Sequence, residues 1–356
     1  MNEDRMLNLV FENTRNSYKF FWWLSIIELI VERNQVEIDF NDIVIKMITK
    51  MWYPINYFKL SFGKQDKIVD YVNELKNEFR LDDNISEKKL ETFLRAKSTH
   101  NTIISISRKL TNYVPHRFLR PWFSAETRGV EDQLVNGIIL KLQESKKNNL
   151  PYIIDSDYRR IFVNLEMIKL IKTHYNILES FALFKLTSFL ERENTNIPNI
   201  SVKLIKPKSR SLGKVTKLWK DFSLNNPEIT DIFESKKLKE LDSFSIDHFL
   251  PWSYFSHDEI WNTHPVNKTV NSSKSNLLPS TDYLKSYCEI QFKMLQFVLL
   301  KKETEFIEQY VTALRIGKDE LLFIDLKKFS AKLYEIYIIH LEYASSMGFD
   351  GNWKYE

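Results

Sequence analysis

The chain has 356 residues, of which 43% are hydrophobic and 28% are charged, and its formal net charge at pH 7 is +4. These values exclude a disordered chain, and the mild positive charge permits a polyanionic partner without requiring one. A single cysteine, Cys288, excludes an internal disulfide framework and a zinc site made of clustered cysteines, and it favours a reducing cytoplasm.

The first third of the chain predicts a helical region. Its opening residues, MNEDRMLNLVFENTRN, are polar and acidic, which does not fit a signal peptide. The most apolar run, 20–31, contains Glu28 and is too short to span a bilayer, so we expect no membrane segment. Apolar periodicity predicts helices, whose simplest interpretation is bundle packing, over residues 17–34, 40–51, 66–79 and 86–97.

Residues 112–129, NYVPHRFLRPWFSAETRG, alternate prolines and aromatic residues with His116, Arg117, Arg120 and Arg128. We favour a packed, proline-stiffened connector with solvated arginines, because such alternation is common in ordinary loops. The alternative is a nucleic-acid contact, since arginine pairs with phosphate and aromatic rings stack on bases.

The middle of the chain predicts a hairpin, a long helix and then a basic segment. Residues 151–164 are typical of a β-hairpin with its turn at Ser156-Asp157, and a helix follows over 165–192. From 203 to 220 there is no acidic residue, and we call this segment the basic strip. Its cations are Lys203, Lys206, Lys208, Arg210, Lys214, Lys217 and Lys220. A solvated linker and a phosphate-binding strip remain equally open interpretations.

Residues 246–280, IDHFLPWSYFSHDEIWNTHPVNKTVNSSKSNLLPS, combine three histidines with a run of polar residues. FSIDHF (244–249) alternates like a strand that Pro251 ends, and WNTHPV (261–266) is a second extended piece. NKTVNSSKSN (267–276) begins with helix-capping residue types. The pattern therefore predicts a strand–strand–helix (ββα) unit, followed by helices over 283–315 and 321–345.

The polar residues of this unit match the chemistry of phosphodiester hydrolysis. Asp247 and Asn271 supply hard oxygen atoms, which suit Mg²⁺ when water and phosphate complete the coordination. His248, which follows Asp247, can accept a proton from an attacking water. Neighbouring strand residues point to opposite sides unless the backbone twists, so Asn271 would have to return from the helix to meet them.

The stretch from Ile246 to Ser280 resembles the motif of HNH endonucleases, the ββα-metal fold. It is particularly similar to the HNH domain of RNA-guided CRISPR effector nucleases, although nothing else in the chain resembles such an effector. The resemblance aligns the Asp-His pair with Asp247-His248, the middle Asn with Asn262 and the last Asn with Asn271. The trailing Lys-Ser and Pro of that motif align with Lys274-Ser275 and Pro279.

The resemblance implies a role for each aligned residue. Asp247 and Asn271 would bind Mg²⁺ or Mn²⁺, and His248 would be the general base. Asn262 would complete the catalytic set by bracing the loop and orienting His248, and Lys274 would contact phosphate. Many HNH proteins carry paired cysteines for a structural zinc; with Cys288 alone we expect none here, so flanking helices must support the unit. We interpret His257 as a loop residue, His264 as a strand-face residue, and Trp252 and Trp261 as packing residues.

Together these patterns predict an α+β protein, mainly helical, with an embedded ββα-metal unit near the C-terminal third. The expected organisation is a helical sensing, binding or regulatory region over 1–200, the basic strip and nuclease over 201–290, and packing helices over 291–356. The basic strip would contact DNA.

The expected function is metal-dependent cleavage of DNA, with double-stranded DNA as the substrate, in cytoplasmic anti-phage defence or restriction. A defence-system protein or a second copy of the chain are the protein partners we consider, and we expect no membrane partner. The alternative function is a nucleic-acid-binding or scaffold subunit of a defence complex with a catalytically silent HNH unit.

Overall fold

The computed structural model describes residues 3–12, 14–206, 212–237 and 244–356. The chain divides into two compact units. The N-terminal unit comprises Met1–Thr195 and Ile200–Lys206, and the C-terminal unit comprises Asn196–Asn199 and Pro207–Glu356. Helices dominate both units and the sheets are small, so the predicted α+β class is confirmed.

The N-terminal unit is a helical assembly with one small sheet. Its helices are α1 (Glu3–Phe11), α2 (Tyr18–Arg33), α3 (Phe40–Trp52), α4 (Ile68–Phe79), α5 (Glu87–Ala96), α6 (Asn101–Thr111), α7 (Val114–Leu119), α8 (Asp132–Lys146) and α9 (Leu165–Glu193). Its strands are β1 (Glu37–Asp39), β2 (Tyr152–Ile154) and β3 (Arg160–Val163). They pair antiparallel in the order β1-β3-β2.

Helix α2 lies at the centre of this unit because apolar residues cover most of its surface, and it packs against α3 and α9. Trp22 and Trp23 on α2 are buried, and the Trp22 indole donates a hydrogen bond to the Tyr152 hydroxyl at 3.0 Å. Within residues 112–129, Val114–Leu119 form α7 and Arg120–Phe123 form a 3₁₀ turn, so the middle of the predicted connector is helical, and turns flank it.

The C-terminal unit combines a two-stranded sheet with helices. Its helices are α10 (Gly213–Asn225), α11 (Trp252–Phe255), α12 (Lys268–Lys274), α13 (Leu284–Lys301), α14 (Thr304–Leu314), α15 (Lys318–Leu322) and α16 (Leu326–Ser346). Its strands, β4 (Phe244–His248) and β5 (Thr263–Asn267), are antiparallel. Asp247 lies opposite His264, and His248 lies opposite Thr263.

One hydrophobic core joins the strands to the C-terminal helices. Phe249, just after β4, lies in this core with its ring centroid 4.2 Å from that of Tyr287 on α13 and 5.0 Å from that of Tyr337 on α16. Near the C-terminus, Trp353 donates its backbone N–H to the Leu278 carbonyl at 2.9 Å. Residues 291–356 therefore share a compact unit with the strands. Within the described residues, no helix is long and apolar enough to cross a bilayer.

Candidate active site

Strands β4 and β5 and helix α12 form the strand–strand–helix unit at the positions where the sequence pattern predicted two strands and a helix. Helix α12 begins after Asn267, whose side chain accepts the Thr269 backbone N–H at 3.2 Å, as expected for a helix-capping asparagine. It ends before Ser275, whose φ of 45° stops the helical hydrogen-bond pattern. The unit brings the end of β4 against the last turn of α12.

Asp247 is a buried carboxylate that faces α12 and β5. Its Oδ2 atom lies 3.0 Å from the Lys274 ammonium nitrogen and 3.5 Å from Nε2 of His264. Burial by itself raises the pKa of Asp247, but Lys274 and His264 outweigh burial and lower that pKa to about 2. Asp247 is therefore an anion at neutral pH, as a metal ligand must be.

Lys274 is fully buried and joins the helix to the strand. In addition to its ion pair with Asp247, its ammonium group donates a hydrogen bond to the His248 carbonyl at 2.7 Å. We predicted a phosphate contact for this residue. The structure instead directs its ammonium group to two atoms of the protein, because the helix brings it directly over the end of β4.

His248 points to the loop between the strands. Its Nε2 atom lies 2.9 Å from Oδ1 of Asp258, and its side chain is 7% exposed. When Nε2–H donates to the Asp258 carboxylate, Nδ1 of the neutral ring carries no proton and can accept one. Asp258 would also stabilise the imidazolium that proton transfer creates. This arrangement suits a general base.

Asn262 holds the backbone of the loop that follows β4. Its side-chain amide donates to the Leu250 carbonyl and its side-chain oxygen accepts the Leu250 N–H, both at 3.0 Å. Its own carbonyl accepts the Phe249 N–H at 2.8 Å. Asn262 is fully buried, so it acts on the backbone that follows His248 and does not contact a substrate directly.

Replacing Asn262 with alanine should lower the free energy of unfolding by about 2–4 kcal/mol, because two buried backbone groups of Leu250 lose their partner at roughly 1–3 kcal/mol each. Urea unfolding measures the change. Asn225→Ala is the matched control: this asparagine is exposed on α10, so we expect a change of at most about 0.5 kcal/mol. Equal stability of Asn262→Ala and wild type would contradict the bracing role.

Helices α13 and α16 hold the loop before β5. Gln291 donates its side-chain amide to the carbonyls of Ile260 at 3.2 Å and Thr263 at 2.7 Å. The hydroxyls of Tyr287 and Tyr337 both donate to the Trp261 carbonyl, at 2.9 and 2.6 Å. Flanking helices thus provide the support expected for the small unit.

Asn271 lies one helical turn before Lys274, so both side chains occupy the same face of α12. Asn271 is half-buried, and its side chain forms no hydrogen bond with any described residue. The buried Oδ2 atom of Asp247 also has no hydrogen-bond partner among the described residues, although it pairs ionically with Lys274. Carboxylate and amide oxygen atoms are the types of ligand that a hard divalent cation prefers.

The donor set is small. Within the described residues, no group of three or more His, Cys, Asp or Glu side chains is arranged to hold a metal ion. One carboxylate and one amide oxygen therefore need oxygen atoms of water or substrate to complete the coordination, which is a common arrangement for Mg²⁺.

The residues of the basic strip are divided between the two units. Lys203 and Lys206 belong to the N-terminal unit, where Lys203 is fully buried and Lys206 lies over the Tyr53 ring at 4.9 Å. Burial lowers the pKa of Lys203 to about 7. Its buried ammonium group corrects the prediction of a surface contact with DNA. Lys208 and Arg210 lie outside the described residues.

Three cations of the basic strip lie on α10 in the C-terminal unit. Lys214, Lys217 and Lys220 are exposed at three-residue intervals, and Lys214 pairs with Glu305 at 2.7 Å. The opposite side of α10 contains Trp219, whose indole donates to the Thr263 hydroxyl at 3.3 Å. Helix α10 thus packs against the strand unit and exposes its lysines.

The sequence did not single out Asp258, and it gave His264 no role beyond that of a strand-face residue. Asp258 precedes Asn262 by four residues, but only the folded loop brings it to His248. His264 lies on β5, is fully buried beside Asp247, and packs its ring against Phe233 with centroids 5.2 Å apart. Its pairing with Asp247 could have been found from the antiparallel register of the two predicted strands.

A comparison with protein families points to the same region of the chain as the candidate site. Residues 231–280 match the family model described as HNH endonuclease, and they contain both strands, the intervening loop and α12. No curated protein and no solved structure matches the chain. HNH nucleases generally use divalent metals, so the match agrees with the donor types found near Asp247. The C-terminal unit therefore carries a domain of the HNH endonuclease family, and the type of activity that this family implies is that of a nuclease.

Proposed function

We propose that this protein is a metal-dependent endonuclease that hydrolyses phosphodiester bonds of double-stranded DNA. One observation carries the proposal: His248, which Asp258 orients, directly follows the buried anionic Asp247 at the end of β4. A base next to a hard oxygen donor is what hydrolysis of a phosphodiester requires.

Asp247 and Asn271 would hold Mg²⁺ or Mn²⁺ through their side-chain oxygen atoms. When bound, the ion supplies positive charge that stabilises the negative charge developing on the phosphate and on the leaving oxygen. Lys274 contributes a fixed positive charge beside Asp247 and keeps that carboxylate ionised.

The protein's own residues would handle the proton. The Nδ1 atom of His248 removes a proton from the attacking water, and Asp258 balances the charge of the resulting imidazolium. Asn262 fixes the backbone after His248 and thereby limits rotation of the base. His248 is the catalytic base in this proposal, and Asp258 and Asn262 are positioning residues.

Lys214, Lys217 and Lys220 would contact the DNA backbone, because they are exposed on the helix that packs on the strand unit. We infer a role in anti-phage defence or restriction from the resemblance of residues 246–280 to HNH endonucleases, with DNA as the polyanion that the exposed lysines attract.

The ion pair of Asp247 with Lys274 favours one second candidate function. An internal cation already neutralises the carboxylate, which would suit a binding or scaffold subunit whose nuclease unit is silent. Such a subunit would bind DNA without a metal and leave it intact.

Incubation with supercoiled plasmid separates the two candidates. We expect nicking or linearisation with Mg²⁺ or Mn²⁺ and none with EDTA, because the metal supplies charge that His248 and Lys274 do not replace. Agarose electrophoresis measures the products, and an equimolar gel shift in EDTA measures binding. Intact plasmid with every metal, together with a metal-independent shift, would contradict the nuclease and support the silent subunit.

A further inference from the structure

A second polar site lies entirely within the N-terminal unit. Residues of helices α2, α4, α6 and α7 and of the segment before α2 line an open cavity of about 540 Å³. Six cationic side chains line it: Arg15, Lys19, Lys67, Lys109, Arg117 and Arg120. The volume is within the range of small-molecule sites in proteins. A cavity with this charge is unlike the apolar packing around it.

Carboxylates neutralise only part of this charge. Asp132, in the lining, receives two hydrogen bonds from the Arg117 guanidinium at 2.6 and 2.9 Å and lies 3.7 Å from Arg120. Asp70 pairs with Lys67 at 3.2 Å and Glu74 lies 3.6 Å from Lys109. A fourth carboxylate, Asp66, lies beside the lining residue Tyr18, so the six cations outnumber the neighbouring carboxylates by two.

Arg15 and Lys19 are the lining cations with no ion pair to a described carboxylate, and Lys19 is the more buried of the two. The Lys19 ammonium group donates to the Val10 carbonyl at 3.2 Å, and no carboxylate of a described residue lies within ion-pair distance. Burial, and then the charges of Arg120 and Arg117, lower the pKa of Lys19 to about 8. The charges of Arg120 and Arg117 act unfavourably on the Lys19 ammonium, and an anion bound beside them would relieve that repulsion.

The cavity also presents aromatic surfaces. Tyr113 is 55% exposed, and the Arg117 guanidinium lies 5.9 Å from the centre of its ring. The Lys109 ammonium lies 5.4 Å from the centre of the Tyr71 ring. In addition, the side-chain oxygen of Asn16 is buried without a hydrogen-bond partner among the described residues. An aromatic ligand with a donor group would use these features.

We propose that this cavity binds a phosphorylated nucleoside, with its phosphate beside Lys19 and Arg120 and its base stacked on Tyr113. The ligand is either a free nucleotide or the 5′-terminal nucleotide of a nucleic-acid strand, because both carry the same groups. The arginine-rich segment that includes Arg117 and Arg120 then serves a ligand site and not a simple connector. This site belongs to the N-terminal unit, whereas the candidate nuclease residues belong to the C-terminal unit.

Isothermal titration calorimetry on the full chain tests the site. EDTA keeps the metal-dependent site inactive, and low salt limits screening of the cationic side chains. The probes are inorganic phosphate, AMP, ATP and a short thymidine strand with and without a 5′ phosphate. We expect saturable binding of a phosphorylated probe that Arg120→Gln weakens about tenfold or more, since it removes charged hydrogen bonds. Tighter binding of AMP or ATP identifies a free nucleotide, and tighter binding of the 5′-phosphorylated strand identifies a strand end.

Two variants keep the test specific. Arg120 is 43% exposed, so its replacement leaves the core intact, and Arg108→Gln on α6 is exposed outside the cavity and should bind like wild type. Binding should also take up protons at about pH 8.5, since a phosphate stabilises the charged form of Lys19, and Lys19→Met should abolish that uptake. Absence of binding by every phosphorylated probe, or unchanged affinity in Arg120→Gln, would overturn the proposal.

Discussion

Replacing His248 with alanine should lower the rate constant of metal-dependent DNA cleavage by about 10²–10⁴-fold, the range for loss of a general base. The fold should survive, because Asp258 is 26% exposed in its side chain and water can replace the lost hydrogen bond. Single-turnover cleavage of plasmid with saturating Mg²⁺ measures the chemical step, and the midpoint of thermal unfolding checks the fold.

His257→Ala is the matched control for this variant. His257 is a half-buried histidine of the same loop, and we have assigned it no contact with the reacting atoms. Its replacement should change the cleavage rate by no more than about threefold, since it removes no proton acceptor at the strand end. An equal loss in both variants, or full cleavage by His248→Ala, would disprove His248 as the base.

Asp247→Ala should lower the free energy of unfolding by about 3–5 kcal/mol, because it leaves the fully buried Lys274 ammonium without its counter-charge. The same variant should lose metal-dependent cleavage, since it removes a proposed ligand. Urea unfolding measures stability. The double variant Asp247→Ala/Lys274→Met should recover most of the stability, as replacing a buried ion pair by apolar groups usually does, and should stay inactive.

The pH dependence of stability gives a second measurement of this pair. The pKa of Asp247 falls from an ordinary value of 3.8 to about 2 on folding, so its ionised form stabilises the fold at higher pH. That contribution should be present above pH about 4 and be lost as the pH falls toward 2. The double variant should lack it. Wild type and double variant with the same acid dependence would contradict the pairing.

Much of the strand unit could be predicted because its patterns are local. Alternation marked β4, the capping type of Asn267 marked the start of α12, and Pro251 marked the end of the first strand. The hairpin of β2 and β3 was likewise visible around Ser156-Asp157. Local alternation, capping and turn chemistry act within a few residues and need no knowledge of the fold.

Other features depended on contacts between distant residues. Strand β1 has three residues and gains its identity by pairing with β3, more than a hundred positions later, so its own sequence could not reveal it. Lys274 was assigned to phosphate because the resemblance aligned it there, whereas its burial against Asp247 follows from the helix docking on β4. The basic strip looked continuous in sequence, yet the fold divides it between two units.

The hydrogen bonds from α13 and α16 to the loop before β5 have a consequence for engineering. An excised fragment of residues 231–280 would lose the side chains of Gln291, Tyr287 and Tyr337, which donate to the carbonyls of Trp261 and Thr263, and would open Phe249 to water. Residues 231–280 therefore depend on helices α13 and α16 and should not fold correctly when moved alone. A graft into another scaffold, or a fusion designed to deliver the nuclease, would have to carry the helices through the tail near Trp353 that closes over Leu278.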